Sequence, residues 1–272
     1  MHPLLFRLGP FFISPLSFLS LISLLFMMFV FWYRCRKENI NDDNIFDLEI
    51  ILIFLSLIFG RLQFVISHFQ EFSPNILRVF LFLKYPGMGV GLILLSIPFI
   101  LYWFSHKRKL KCLLVLDNLS VSLALGYTIA SLGLFMSGVG AGIASALPWA
   151  SVFPGLVGKR HPLSLYESLL FFVLTVFIFG FERRFPHRQE GLLSFIFVWF
   201  FGLALFIIEF LRVDSVYLIF GFRVGHILGL LFAIAGIISL YKRGFFTLIY
   251  SVRVLNFPKT KITDIFTRFR RK

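Results

Sequence analysis

Residues 160–167 read Arg160-His161-Pro162-Leu163-Ser164-Leu165-Tyr166-Glu167, and the run that follows, Leu169 to Phe179, is apolar apart from Thr175. A histidine, a tyrosine and a carboxylate therefore stand where water gives way to hydrocarbon. Pro162 suits the first turn of a helix, where its missing N–H would have had no intrahelical partner. A helix begun there sets Tyr166 and Glu167 about one turn below His161, so the spacing predicts that all three face one small volume. A tyrosine at this depth also serves as an anchor in the headgroup region. That plainer reading stands beside the functional one.

Outward from this stretch the same pattern recurs. Apolar runs, most of 18 residues or more, extend from about Phe11 to Tyr33, Ile45 to Ile66, a third ending at Phe104, Leu113 to Ser137, a fifth beginning in the opening stretch and ending at Glu182-Arg183-Arg184, Gly191 to Leu211, and Gly225 to Tyr241. Each is long enough to cross a hydrocarbon core, and segments of this kind satisfy their own backbone only as helices. The expected fold is an all-α polytopic integral membrane bundle of about seven transmembrane helices. The small-residue stretch Gly138 to Ala146 reads as a re-entrant or close-packed segment.

Composition agrees, with 272 residues, 58% of them hydrophobic and 39 of them Phe, at a mean hydropathy of +0.89. Two cysteines, Cys35 and Cys112, each beside a basic cluster, exclude a disulfide scaffold. The formal net charge of +14 would suggest nucleic acid in a soluble protein. Here most of the 27 Lys and Arg fall in short loops between apolar runs and in the tail, which is the pattern set by membrane topology and anionic lipid, so no nucleic acid is expected. Seven spans with Arg34-Cys35-Arg36-Lys37, Lys107 to Lys111, Arg183-Arg184 and the tail on one side predict an outer N-terminus and a cytoplasmic C-terminus. The first run is read as a retained helix. Residues 1–243 form the expected membrane domain, and 244–272, alternating aromatic and basic, a cytoplasmic tail on the inner leaflet.

Charged residues at membrane depth cost on the order of 2.5–3.5 kcal/mol and generally face a partner or a polar cavity. Glu209 and Arg212 are three apart and share a helix face. They read either as an intrahelical ion pair or, with Arg61, His161, Tyr166 and Glu167 at the same expected depth, as one site. Arginine suits bidentate contact with phosphate, and His161 or Glu209 can move a proton. Such a lining fits a phospholipid headgroup. Asp117, near the start of the fourth run, reads as a helix-entry carboxylate on the inner side.

The string Arg160-His161-Pro162-x-x-Leu165-Tyr166-Glu167 resembles the Arg-His-Pro-x-x-Leu-Tyr-Glu segment of bacterial prolipoprotein diacylglyceryl transferases. Gly60-Arg61 resembles that family's Gly-Gly-Arg, Glu209-Phe210-Leu211-Arg212 its Glu-Phe-x-Arg, and Gly225-His226-Ile227-Leu228 its Gly-Gln-Ile-Leu. The four strings keep their order across residues 1–243. The resemblance implies a bacterial inner-membrane enzyme that moves the diacylglyceryl group of phosphatidylglycerol onto the lipobox cysteine of a prolipoprotein signal peptide, with no cofactor and no metal. His161 and Glu209 are then candidate catalytic residues. Arg61, Arg212, Tyr166 and Glu167 are candidate ligands of the lipid headgroup.

Several positions depart from the family pattern. Its Gly-Arg-x-Gly-Asn-x-x-Asn-Gly corresponds to Ala130 through Gly138, with Ser131 in place of the arginine and Leu134 and Ser137 in place of the asparagines. Leu205 replaces an arginine four residues before Glu209, the Pro86 to Gly91 segment has no histidine, and no tyrosine lies between Phe11 and Phe31. Two functions of different class therefore fit the sequence: a divergent transferase working with a reduced set of residues, and a non-catalytic relative that binds phospholipid or lipoprotein signal segments. Buried charges and glycine-interrupted helices also permit a small transporter.

Overall fold

The structure, a computed structural model, describes residues 6–8, 11–72, 76–81, 84–85, 87–89, 91–213, 218–219 and 222–245. The tail expected over residues 244–272 lies outside the described residues beyond 245. A short antiparallel pair, β1 (Phe6–Leu8) with β2 (Phe11–Ile13), precedes α1 (Pro15–Lys37) and α2 (Asp42–Ser67). One helical turn, α3 (Phe69–Phe72), and a 3-10 turn (Ile76–Phe80) lead to α4 (Gly91–Lys107) and α5 (Cys112–Met136). Strands β3 (Ala141–Ala144), β4 (Ser151–Val152) and β5 (Lys159–Pro162) come next, before α6 (Leu163–Arg184) and α7 (Leu192–Glu209). A last pair, β6 (Leu218–Ile219) with β7 (Phe222–Arg223), leads into α8 (Val224–Lys242). Six of these helices are long and apolar enough to cross a membrane, and α4, with 17 residues, spans about 26 Å at the α-helical rise. The chain is a multi-pass membrane protein of seven long helices.

Helix α5 is the axis of the bundle. One core cluster packs Phe31, Ile45, Leu48, Leu101 and Phe104 against its Val115 and Leu119, and a second packs Phe171, Leu174, Ile178, Leu193 and Ile196 against its Val121 and Ala124. Being enclosed on both sides, α5 is also where polar residues can be kept out of lipid: Asp117, Asn118, Ser120, Ser122 and Ser131 are all buried. Ser120 and Ser122 turn back on their own helix, donating to the carbonyls of Asp117 and Asn118. Asp117 instead reaches across to α7. Its Oδ2 accepts from Gly191 N and its Oδ1 from Ser194 N, both at 2.8 Å. Gly191, at φ 92°, has no side chain to cap the helix it precedes, so a neighbouring helix supplies the carboxylate for the orphan N–H groups.

The same end of the bundle holds four charge pairs. Arg34 donates through Nη1 and Nη2 to both oxygens of Glu182 at 2.9 Å, and Arg188 Nη2 reaches Glu182 Oε1 at 2.7 Å. Arg108 pairs with Asp47 and Lys111 with Glu190. Cys35 and Cys112 are both free thiols.

Among the described residues one buried carboxylate has no such partner. Glu49 on α2 is 5% exposed, and neither oxygen has a hydrogen-bond partner in a small void lined by Met27, Met28, Phe31, Leu52, Ile53 and Leu119. Leaving a buried polar group unsatisfied costs about 1–3 kcal/mol. Glu49→Met, of similar length and fully apolar, is therefore expected to raise the thermal unfolding midpoint in detergent, whereas Glu49→Gln, which keeps the orphan, is not.

The opposite end carries the irregular structure. In the three-stranded sheet the order is β3-β5-β4, all antiparallel, with Ala144 opposite Arg160 and Ser151 opposite Arg160 on the other side. The middle of the stretch from Gly138 to Ala146 is strand β3. The close packing expected of its small residues does occur at Gly142, which bridges to Arg212 while Ile143 N donates to Leu211 O at 2.9 Å. The sheet is in this way stitched to the exit of α7.

Candidate functional site

Four segments meet at that stitch. Strand β5 delivers His161 and hands over to α6 at Pro162, which is the N-cap residue rather than part of the first turn. The expected cluster of His161, Tyr166 and Glu167 therefore divides in two. His161, on extended backbone, lies with Nδ1 at 3.1 Å from Tyr166 Oη, which also accepts from Trp149 Nε1 at 2.9 Å.

Glu167, one position further round α6, turns the other way, into the bundle. It is 8% exposed, and its Oε2 accepts from Tyr127 Oη of α5 at 2.9 Å. Its Oε1 accepts from Arg212 Nη2 at 3.3 Å. Arg212 Nε lies 3.8 Å from Glu209 Oε2, so the expected i,i+3 pair is present but longer than the contact with Glu167. Arg212 is held between two carboxylates, and its side chain is 41% exposed against 11% for Glu167 and 5% for Glu209. The cation is the accessible member of a group whose anions are buried.

Two further residues build this geometry. Arg223, on β7, donates through Nη1 to the carbonyls of Glu209 at 2.8 Å and Arg212 at 2.5 Å, tying off the end of α7. Gly225, in the first turn of α8, faces Glu209: a Cβ there would lie 2.5 Å from the carboxyl carbon and 2.6 Å from Oε2. The Glu209 carboxylate is accordingly seated on the N-terminal turn of α8, where the helix dipole favours a negative charge. His226, next along, packs edge-on against Phe206 and Phe210 with ring centroids 5.5 and 4.3 Å away. Sequence reasoning passed over Tyr127 and Arg223. The signals were there: a tyrosine inside an apolar run, and an arginine two residues ahead of the Gly225-His226 string.

The described partners of Arg61 lie outside this group. It is 3% exposed on α2, and its Nε donates to Val79 O at 2.9 Å while Nη1 donates to Tyr85 O at 2.7 Å and Gly87 O at 3.2 Å. Phe64 and Phe72 cover the guanidinium at 5.5 and 5.4 Å. Its described partners belong to the connection between α2 and α4, which Arg61 fastens down beside the Gly89 N–H to Gly60 O bond of 2.8 Å. Hydrogen bonds to a charged donor are worth about 1.5–3 kcal/mol each. Arg61→Ala is expected to lower stability by about 3 kcal/mol and to raise amide hydrogen exchange at Gly89, with Arg61→Lys restoring only part because an ammonium lacks the planar fork.

Among the described residues no group of histidine, cysteine, aspartate and glutamate could hold a metal ion. What the site offers is a fixed arginine, two carboxylates and a tyrosine hydroxyl at one end of a membrane bundle, a donor set suited to a phosphate-bearing headgroup and to movement of one proton.

The prolipoprotein diacylglyceryl transferase family model matches residues 3–242. A phosphatidylglycerol–prolipoprotein diacylglyceryl transferase of Finegoldia magna is 30% identical over 210 residues, 76% of this chain and 82% of that protein. The Photobacterium profundum protein of the same description is 32% identical over 216 residues, 77% and 80% of the two chains, and that of Aliivibrio salmonicida 29% over 254 residues, 90% and 89%. With a match over nearly its whole length, and with Glu167 of its Arg-His-Pro-x-x-Leu-Tyr-Glu string in contact with Arg212 of its Glu-Phe-x-Arg string, the chain belongs to the prolipoprotein diacylglyceryl transferase family.

Proposed function

We propose that this protein transfers the diacylglyceryl group of phosphatidylglycerol to the thiol of a lipobox cysteine in a prolipoprotein signal peptide. The acceptor thiolate attacks the glyceryl carbon that bears the phosphate ester, the C–O bond breaks, glycerol phosphate leaves and a thioether remains. The observation that carries this reading is Arg212, the exposed cation between buried Glu167 and Glu209, in a chain of this family.

In this reading Arg212 binds the departing phosphate, and charge grows on the phosphate as the bond breaks, so the contact strengthens toward the transition state. Glu209, fixed by Gly225 and the turn held by Arg223, is the group placed to take the thiol proton. Glu167 positions Arg212 and is itself held by Tyr127. His161 and Tyr166, on the sheet side, line the approach of the headgroup and offer a second proton carrier. Arg61 serves the site by fastening the connection into α4. The site end of the bundle faces outward and the Arg34, Arg108 and Arg188 end faces the cytoplasm, in the bacterial inner membrane, with the basic tail on the cytoplasmic leaflet.

The second reading, lipid or signal-peptide binding without turnover, is favoured by one feature: Ser131, standing where the family has arginine, is wholly buried in α5. Release of glycerol phosphate separates the two. Purified protein in phosphatidylglycerol micelles should release it only when a lipobox peptide with its cysteine is added, and not with the Cys→Ser peptide. Peptide binding without release would establish the second reading in place of the first.

A further inference from the structure

At the end of the bundle away from Glu167, about 22 Å along α6, a groove of about 570 Å³ opens between α1, α5 and α6. Its walls are apolar and aromatic, formed by Phe26, Phe29, Val30, Leu125 and Phe179, and its mouth is charged, with Lys37 and Arg183 beside the Arg34–Glu182 pair. From Phe26 to Lys37 the groove runs about 16 Å along α1, half of a hydrocarbon core of roughly 30 Å. It is therefore as deep as one leaflet.

The charges at the mouth do not cancel. Glu182 is already engaged by Arg34 through both oxygens and by Arg188. The remaining lining charges are Lys37, whose ammonium lies 4.4 Å from the Tyr33 ring centroid, Arg183 and the single carboxylate of Glu38. A cationic rim above an apolar trough one leaflet deep is complementary to one kind of molecule, a lipid with an anionic phosphate head and an acyl chain. We infer that this groove binds an anionic phospholipid of the leaflet on the basic side, its phosphate between Lys37 and Arg183 and one chain along Phe29, Val30 and Phe179, at a site separate from that of the Arg212 group.

The test uses the full chain in phosphatidylcholine vesicles doped with phosphatidic acid that carries a photoactivatable diazirine on its acyl chain. Cross-linked residues are mapped by mass spectrometry. Labelling is expected on 26–33 of α1 and around Phe179, to fall on the order of tenfold in Lys37→Glu/Arg183→Glu, and to fall less in Lys37→Gln/Arg183→Gln. Arg212→Lys, which lowers transfer while keeping the fold, should leave it unchanged, so the result does not depend on transferase activity. Equal labelling of the groove by a phosphatidylcholine probe would overturn the inference. So would labelling indifferent to both double variants, or full competition by soluble glycerol phosphate, which would mark an anion site without a lipid.

Discussion

Arg212→Ala is expected to lower diacylglyceryl transfer by roughly 10²–10³-fold, the usual consequence of removing one preorganised electrostatic contact to a transition state. The substitution acts twice. It removes the exposed guanidinium proposed to meet the phosphate, and it leaves Glu167 and Glu209, 11% and 5% exposed in their side chains, without the cation between them. The second effect destabilises the fold as well, because breaking a buried charge pair by removing one partner costs several kcal/mol. Arg212→Lys separates the two: a lysine keeps the positive charge, so stability should be restored to within about 1 kcal/mol, while the bidentate fork is gone and transfer stays well below the parent. Unfolding midpoints in detergent, measured beside transfer rates, check both halves.

Gly202→Val should have a large effect on the fold. Helices α7 and α8 form the most intimate pair in the bundle, and a Cβ on Gly202 would lie 2.3 Å from Ala233 N and 2.6 Å from Gly229 O. Both are backbone atoms, so no side chain can move aside. The helices must separate, with a cost of about 1–3 kcal/mol or more for overpacking and the loss of close contact that small residues give membrane helices. Because α8 also carries Gly225 against the Glu209 carboxylate, its displacement should reach the site and lower transfer with stability. Gly180→Ala is the matched control. No atom lies within 4 Å of a Cβ there, and the change should be neutral or slightly stabilising through helix propensity.

The helices were legible in the sequence because hydropathy alone marks a membrane span. The ends were less so: α1 continues past Tyr33 through Arg34 and Lys37, since long basic side chains can extend from a helix into the headgroup region. The sheet was not legible. Strands of two to four residues built from Ala141-Gly142-Ile143-Ala144 and Ser151-Val152 show no alternation to read, and their pairing is set by β5, which follows them in the chain.

Within the site, Glu209 and Arg212 were readable because an i,i+3 spacing is local. Glu167 was readable as a member of the site, but its separation from His161 was not, because it depends on a strand ending at Pro162. Arg61 shares its expected depth with them, but its bonds to the Val79, Tyr85 and Gly87 carbonyls could not be read from depth, which is one coordinate of three. Asp117 lies near the start of α5, as expected, yet its partners lie 74 and 77 residues away at the start of α7. Spacing along a single helix carries no trace of such a contact.

The measurement that bears most directly on the assignment is the mass of a lipobox peptide after incubation with the purified protein and phosphatidylglycerol of defined acyl chains. The account predicts a peptide heavier by one diacylglyceryl group, attached through a thioether at cysteine, formed by the parent protein and lost in Arg212→Ala. A parent protein that is folded, binds peptide and phospholipid, and leaves the peptide mass unchanged would contradict it.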